Sequence, residues 1–107
     1  MKWRFVEPQD YEWAIAASKE HHKESDWSEV EYNDVKAKRY FDVATTDPNY
    51  FAILIEKGNK RIGFMAGRIM EYSYSYETFA KELELYVDPK HRNGMAGIFM
   101  MKKFMDW

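Results

Sequence analysis

The sequence predicts an α/β fold of the α+β type, in which a mostly antiparallel sheet is flanked by helices in the order β-α-α-β-β-β-α. Three observations predict it: apolar runs of strand length, apolar residues at helical spacing towards both ends of the chain, and clusters of proline, glycine and asparagine between these segments. A chain of 107 residues has the size of a single domain, so we assign residues 1–107 to one domain.

The N-terminal half carries the signals of one strand and two helices. Trp3 to Val6 is a short β-prone run that ends before a proline, and we predict the first strand there. The first helix follows, with Asp10 as its predicted N-cap. A polar loop with Trp27 as its aromatic anchor then leads to a second helix, predicted over residues 32–44.

A hairpin is predicted next. The continuous apolar run over residues 50–55 is typical of a strand that is buried on both faces. Gly58-Asn59 predicts a tight turn into a partner strand over residues 60–70. Gly63 and Gly67 within this partner predict a bulge or the close approach of another backbone.

The last strand and the last helix complete the predicted fold. Alternation over residues 78–87 predicts a strand with leucines on one face and with Glu82 and Glu84 on the other. A helix is predicted from about Met95 to the end of the chain. Its predicted apolar stripe consists of Ile98, Met101, Phe104 and Met105.

The composition is that of a folded protein without a strong net charge. Apolar residues make up 46% of the chain, the formal net charge is −2, and cysteine is absent. This charge balance argues against a broad nucleic-acid-binding surface, and the lack of cysteine excludes disulfides and thiolate metal sites. No segment approaches the roughly 20 apolar residues that span a bilayer. We therefore expect a cytoplasmic protein with no nucleic-acid or membrane partner and with no metal site.

The most informative segment joins the last predicted strand to the last helix. After Val87 and a proline comes the basic, glycine-containing turn Arg92-Asn93-Gly94-Met95-Ala96-Gly97, at the start of the helix. The backbone N–H groups of residues 93–97 are available there, and glycine lets a ligand approach the backbone closely. Together with the forked donors of Arg92, these amides predict a site for phosphate or pyrophosphate.

This strand, turn and helix resemble the GNAT superfamily of N-acetyltransferases, whose usual turn is Q/R-x-x-G-x-G/A. When Arg92 is aligned with the leading Q/R of this motif, Gly97 matches its last position, but Met95 stands at its first glycine. When the alignment starts one residue earlier, Gly94 matches the first glycine instead. The resemblance covers the whole chain in element order and is specific over residues 83–104. The R-x-G-x-x-G form is also similar to GNAT-like proteins of phages. Compared with complete members, the chain is expected to be truncated and to lack the C-terminal third of the fold.

The resemblance implies acetyl-coenzyme A as cofactor and the acetylation of an amine by direct attack on the thioester. It leaves open whether the amine belongs to a small molecule or to a protein. In this family the coenzyme contacts the strand before the turn and the turn itself. Carried over residue by residue, the implied cofactor-binding residues are Leu85, Tyr86, Val87, Arg92, Asn93, Gly94, Met95, Ala96 and Gly97.

The resemblance also implies a carboxylate base on the strand before the turn. Glu82 and Glu84 are the candidates, because the predicted alternation places both on one face of that strand. The alternative reading of the same two residues is the solvated face of a half-buried strand.

Two further hypotheses stay open on the sequence. The first is a non-catalytic GNAT-like interaction protein, which could be of viral origin and which binds a protein partner. The second is a sensor that binds coenzyme without turnover. Met95 at a glycine position favours the interaction protein, whereas Arg92 and Gly97 favour the enzyme. An uncovered strand edge would also allow a second copy or a partner chain to complete the sheet.

Overall fold

Strands and helices follow one another along the chain in the predicted order. The structure is a computed structural model that describes all residues 1–107. The elements are β1 (Lys2–Phe5), α1 (Tyr11–Glu24), α2 (Asp34–Ala44), β2 (Tyr50–Lys57), β3 (Lys60–Glu71), β4 (Thr78–Val87) and α3 (Ala96–Asp106). Short 3₁₀ turns precede α1 and α3. None of the helices combines the length and the apolar character needed to cross a membrane.

The four strands form one sheet in the order β1-β2-β3-β4, and every neighbouring pair is antiparallel. The predicted antiparallel sheet is therefore confirmed. β2 and β3 are joined by the predicted tight turn, in which Gly58 has a φ of 65° that glycine adopts without strain. β1 and β4 are the two edges of the sheet.

Each face of the sheet carries its own apolar core. On one face, α1 and α2 pack over a cluster that includes Leu54 and Phe64. On the other face, α3 packs over a cluster that includes Ile53 and Met65. Because successive strand residues point to opposite faces, the continuous apolar run of β2 fills both cores, as the sequence predicts.

Two glycines of β3 let α3 and β4 lie close to this strand. A Cβ atom at Gly67 would come within 2.6 Å of Cε2 of Phe104, and a Cβ atom at Gly63 within 2.8 Å of the carbonyl oxygen of Tyr86. A side chain at either position would therefore push a neighbouring element away. The predicted close approach at these glycines is confirmed. The predicted bulge in β3 is also found, because Ile62, next to Gly63, is an extra residue in its pairing with β2; a second bulge lies in β4, opposite Gly67.

Asp10 does not cap α1, so that prediction is wrong. Its carboxylate is completely buried and accepts hydrogen bonds from Arg4 at 2.6 and 2.7 Å, from Arg61 at 2.9 Å and from the backbone N–H of Glu7 at 2.9 Å. The two arginines lie on β1 and β3. Asp10 therefore fastens the start of α1 to two strands of the sheet, and this role uses the oxygens that a cap would need.

Three residues also lack the buried apolar role that was predicted for them: Trp27 in the loop, and Ile98 and Met105 on α3. Trp27 is exposed, and the segment between α1 and α2 is anchored instead by Tyr32, whose ring centroid lies 5.5 Å from that of His22. On α3, Ile98 and Met105 are exposed as well. This helix has apolar residues on most of its circumference, so spacing alone does not decide which side meets the sheet. The residues that pack on the sheet are Ala96, Phe99, Met100, Met101 and Phe104.

Candidate functional site

A bulge in β4 decides where its acidic side chains lie. Ala66 of β3 pairs with Glu84, but the next residue, Gly67, pairs with Glu82, so Leu83 is an extra residue in β4. Ala66 belongs to the core under α1 and α2, whereas Gly67 lies under α3. The regular alternation is interrupted between the two glutamates, and the prediction that they share one face is wrong.

Glu84 lies beneath α1 with only one of its two oxygens bonded. The buried hydroxyl of Ser18 donates to Oε1 at 3.1 Å, while Oε2 is buried without a hydrogen-bond partner. His21, one turn further along α1, places Nδ1 3.9 Å from Oε2. Burial raises the pKa of Glu84 to about 7, against the hydrogen bond from Ser18 and with a contribution from the charge of Glu82. A carboxyl group that is half ionised near neutral pH suits the uptake and release of a proton.

Glu82, the other predicted candidate, has different surroundings. Its side chain is exposed and forms no ion pair. Of the two candidates, only Glu84 has the environment of a general base.

Sequence reasoning missed the residues that surround Glu84. Ser18 lies 66 residues earlier in the chain, and its only signal is a small polar side chain on the apolar side of α1. Tyr32 contributes a buried hydroxyl group without a hydrogen-bond partner, and burial raises the pKa of this tyrosine. Folding brings these groups to β4 from α1 and from the segment that follows it.

The end of β4 carries three of the predicted cofactor contacts. Tyr86 is buried under α1, with its ring centroid 6.4 Å from that of Phe64. Leu85 and Val87 pack against the α3 core. Because β4 pairs only with β3, no other strand uses the backbone groups on its outer edge. Contacts between a cofactor and this edge remain a prediction.

The turn before α3 presents backbone N–H groups that have no acceptor within the chain. Among residues 93–97, only the N–H of Gly94 is used, and it donates to the carbonyl oxygen of His91 at 3.2 Å. Met95, at the N-cap position, gives no side-chain cap. The free amides are suited to an anion at the helix N-terminus. They belong to Asn93, Met95, Ala96 and Gly97.

The two glycines of this turn are not required by internal packing. A Cβ atom at Gly94 would come no closer than 3.5 Å to a protein atom, one at Gly97 no closer than 3.8 Å, and neither residue has a positive φ. This contrasts with Gly63 and Gly67, where a side chain would collide with the fold. The missing side chains at Gly94 and Gly97 therefore keep the outer surface of the turn open, as a phosphate lying on the amides requires.

Arg92 is not arranged as the sequence predicted. Its terminal nitrogens donate to the two carboxylate oxygens of Glu24 at 2.7 and 2.8 Å, and Nε donates to the carbonyl oxygen of Val87 at 2.8 Å. The fork thus joins the end of α1 to the turn, and the guanidinium group lowers the pKa of Glu24. Each terminal nitrogen keeps a second N–H group, so two donors remain for a phosphate.

Two grooves adjoin the turn. One, of about 230 Å³, lies between the end of α1 and the end of β4, and its lining includes His21 and Arg92. The other, of about 280 Å³, includes the cationic side chains Lys57 and Lys90. The first groove extends from Arg92 towards Glu84, because His21, which lines it, places Nδ1 3.9 Å from Oε2 of Glu84.

Comparison with known proteins agrees with this geometry. The family model described as acetyltransferase (GNAT) family matches residues 6–107. The chain belongs to the GNAT acetyltransferase family. The resemblance inferred from the turn is thus confirmed at the level of the family. No curated protein matches the chain in sequence.

Solved GNAT-type structures share the fold. An acetyltransferase from Vibrio fischeri is 19% identical, with 99% of this chain and 84% of that chain covered and a TM-score of 0.77. A predicted acetyltransferase with acetyl-CoA from Clostridium acetobutylicum is 16% identical, with 98% and 71% covered and a TM-score of 0.80. An aminoglycoside antibiotic 6'-N-acetyltransferase from Acinetobacter haemolyticus is 12% identical, with 100% and 70% covered and a TM-score of 0.81. At these identities the likeness is one of fold.

Proposed function

We propose that this GNAT-family chain is an acetyl-coenzyme A-dependent N-acetyltransferase in which an acceptor amine attacks the thioester directly. The observation that carries the proposal is the placement of Glu84, a half-buried glutamate whose Oε2 is buried without a hydrogen-bond partner, on the strand that leads into the turn of free amides. Membership of the family supports acetyl transfer in general. The acceptor amine belongs to a small molecule or to a protein.

The residues of the turn fit the phosphates of coenzyme A. The free amides of residues 93 and 95–97 are donors for a pyrophosphate, and Arg92 and Lys90 add positive charge beside them. We assign the outer edge of residues 85–87 to the rest of the coenzyme. When bound, acetyl-coenzyme A supplies the acetyl group as a reactive thioester.

Glu84 accepts the proton that the acceptor amine must lose. An amine is protonated at neutral pH and becomes nucleophilic only after deprotonation. Oε2 of Glu84 is free to take this proton, while the hydrogen bond from Ser18 to Oε1 fixes the orientation of the carboxylate. His21, half-buried between Oε2 and solvent, then offers a way out for the proton.

We propose a cytoplasmic setting for this activity. Acetyl-coenzyme A is available there, and a chain without cysteine needs no oxidising compartment for disulfides. The uncovered edge of β4 leaves room for coenzyme or for a partner chain that extends the sheet.

Coenzyme binding is tested first, by thermal unfolding with and without coenzyme A. A ligand that binds only the folded state stabilises it by about 2.7 kcal/mol at a concentration of 100 Kd, so the melting temperature rises with dose. Gly97→Val, which fills the surface of the turn, should abolish the rise, while Ile98→Val on the exposed side of α3 should leave it intact. An unchanged melting temperature at millimolar coenzyme would rule out both the enzyme and the sensor.

Catalysis is tested by release of free thiol from acetyl-coenzyme A with a mixture of amino acids, spermidine, an aminoglycoside and a lysine peptide. Glu84→Gln should lower kcat by about 10²- to 10⁴-fold, the usual contribution of a general base. Glu82→Gln is the matched control and should retain activity. In the wild type, kcat/KM should rise with pH through about 7, the pKa of Glu84. Coenzyme binding without any turnover would identify a sensor instead.

A further inference from the structure

The sheet face under α1 and α2 carries two charged side chains of opposite sign that do not pair. Glu84 lies opposite Ala66, and Arg68 lies two residues further along β3, on the same face. Such diagonal neighbours have Cα atoms about 7–8 Å apart, within reach of long side chains. No ion pair joins them, and Arg68 pairs with no other carboxylate.

Unsatisfied polar atoms are concentrated on this face. The buried side-chain atoms without a hydrogen-bond partner are the hydroxyl of Tyr32, Nε of Arg68 and Oε2 of Glu84. Tyr32 belongs to the same neighbourhood, since the charge of Glu84 contributes to raising the pKa of this tyrosine. Buried polar groups in folded proteins are nearly always bonded, and a buried unpaired charge is costly. Glu84 and Tyr32 together, and Arg68 two residues further along the same face, therefore offer unpartnered polar atoms to a polar ligand.

The surroundings of Arg68 hold its guanidinium without using its donors. The group lies over the ring of Tyr50, 5.1 Å from the ring centroid, and the hydroxyl of Tyr40 donates to the carbonyl oxygen of Gly67 at 2.9 Å. Tyr40 and Tyr50 also line a groove of about 720 Å³ along α2, and the charged residues of that groove, Lys36 and Arg39, are all cationic. An anionic group is therefore favoured on the Arg68 side of this face, and a cationic group on the Glu84 side.

We propose that the acceptor is a small zwitterion of the amino-acid class, with its amine at Glu84 and Tyr32 and its carboxylate at Arg68. This inference rests on the proposed function, which leaves the acceptor open. A carboxylate matches the fork of a guanidinium, and the amine matches the two unsatisfied oxygens. Polyamines and aminoglycosides are disfavoured, because a second ammonium group would meet Arg68, Arg39 or Lys36.

Matched acceptors test this assignment. Each of the twenty amino acids is compared with its carboxamide and with the amine that lacks the carboxyl group, and spermidine and an aminoglycoside are included. The wild type should prefer at least one amino acid over its carboxamide by about 10- to 100-fold in kcat/KM, as a lost charged hydrogen bond predicts. Equal rates for acid and carboxamide, or spermidine or the aminoglycoside as the best acceptor, would overturn the proposal.

The variant Arg68→Gln should lose this preference mainly through KM, and Arg68→Lys should restore part of it by keeping the charge. Lys102→Gln, on the exposed side of α3, is the charge-matched control and should behave like the wild type. If Arg68→Gln does not fold, as judged by circular dichroism, the comparison rests on Arg68→Lys, which must still weaken the preference. A preference that is unchanged in the folded variants would contradict the role of Arg68.

Binding is read out separately from catalysis. The Nε–H resonance of Arg68 in the NMR spectrum should shift when the best amino acid is titrated, with and without coenzyme A. If coenzyme A fails to bind but this resonance shifts, the zwitterion site stands and the acetyltransferase proposal fails. If coenzyme A binds and amines are acetylated but the resonance does not move for any amino acid, only the zwitterion site is refuted.

Discussion

Asp10 and Glu84 are both carboxylates on the α1 side of the fold, but their partners differ. Asp10 is fully buried and accepts four hydrogen bonds, three of them from the guanidinium groups of Arg4 and Arg61. Burial alone would raise the pKa of Asp10, yet these bonds lower it to about 2. Glu84 accepts one neutral bond, from Ser18, and burial raises the pKa of Glu84 to about 7.

This difference shows that burial makes the ionised form of a carboxyl group less stable, and that its hydrogen-bond partners determine whether the group stays ionised. Two arginines keep Asp10 ionised at all but very acidic pH, so that it joins elements of the fold but cannot act as a base near neutral pH. Glu84 accepts only one hydrogen bond, from a hydroxyl group, and is therefore partly protonated and partly ionised near neutral pH. This arrangement lowers the stability of the fold, as is common for catalytic groups. Each of the following changes tests one side of this comparison.

The largest effect is expected from Asp10→Asn. The substitution removes the negative charge between Arg4 and Arg61 and leaves two guanidinium groups facing a neutral amide. Loss of one partner from a buried ion pair costs about 3–5 kcal/mol of the free energy of unfolding, which urea denaturation at neutral pH measures. The control is Asp42→Asn, which breaks an exposed pair with Lys38 (3.2 Å) and should cost less than about 0.5 kcal/mol. Equal losses in the two variants would show that Asp10 is not an anchor.

Glu84→Gln should have the opposite sign and stabilise the protein near pH 8. Because the pKa of Glu84 is raised in the folded state, folding favours its protonated form, and stability falls as the pH rises from about 4.5 to about 7. Glutamine removes this penalty. We expect a gain of about 1–3 kcal/mol near pH 8 and almost none near pH 4, measured by urea denaturation at both values. A loss of stability near pH 8 would mean that the carboxylate is better satisfied than its single bond indicates.

Acid should release the contribution of Asp10. Because the pKa of Asp10 is depressed, its stabilisation is complete above about pH 4 and disappears as the pH falls through about 2. This lowering of the pKa corresponds to about 2 kcal/mol of unfolding free energy. It is measured as the loss of unfolding free energy between pH 4 and pH 2 in the wild type, from which the loss in Asp10→Asn is subtracted. A carboxyl carbon NMR titration of Asp10 should have its midpoint near 2. A midpoint near 4 would remove the basis of the comparison.

The sequence predicted the order of elements because periodicity and turn residues are local signals, and the run over residues 50–55 shows this most clearly. The turn at residues 92–97 was also predictable, since its glycines and its place between strand and helix are local. The bulge at Leu83 was not, because it depends on how β3 and β4 pair. The Glu24–Arg92 bond was also hidden, because it joins residues 68 positions apart, and such pairings leave no trace in local spacing.

The smallest effect is expected from Ser18→Ala, which removes the one hydrogen bond that favours the charged form of Glu84. The pKa of Glu84 should rise further above 7, by somewhat less than one unit, because such a bond contributes about 0.5–1.5 kcal/mol. A carboxyl carbon NMR titration of Glu84 measures the shift, with Ser28→Ala on the exposed loop as the control. Since alanine leaves both carboxylate oxygens without a donor, the variant moves Glu84 still further from the situation of Asp10. A fall in the pKa would mean that water enters the space left by the hydroxyl and solvates the carboxylate better than Ser18 does.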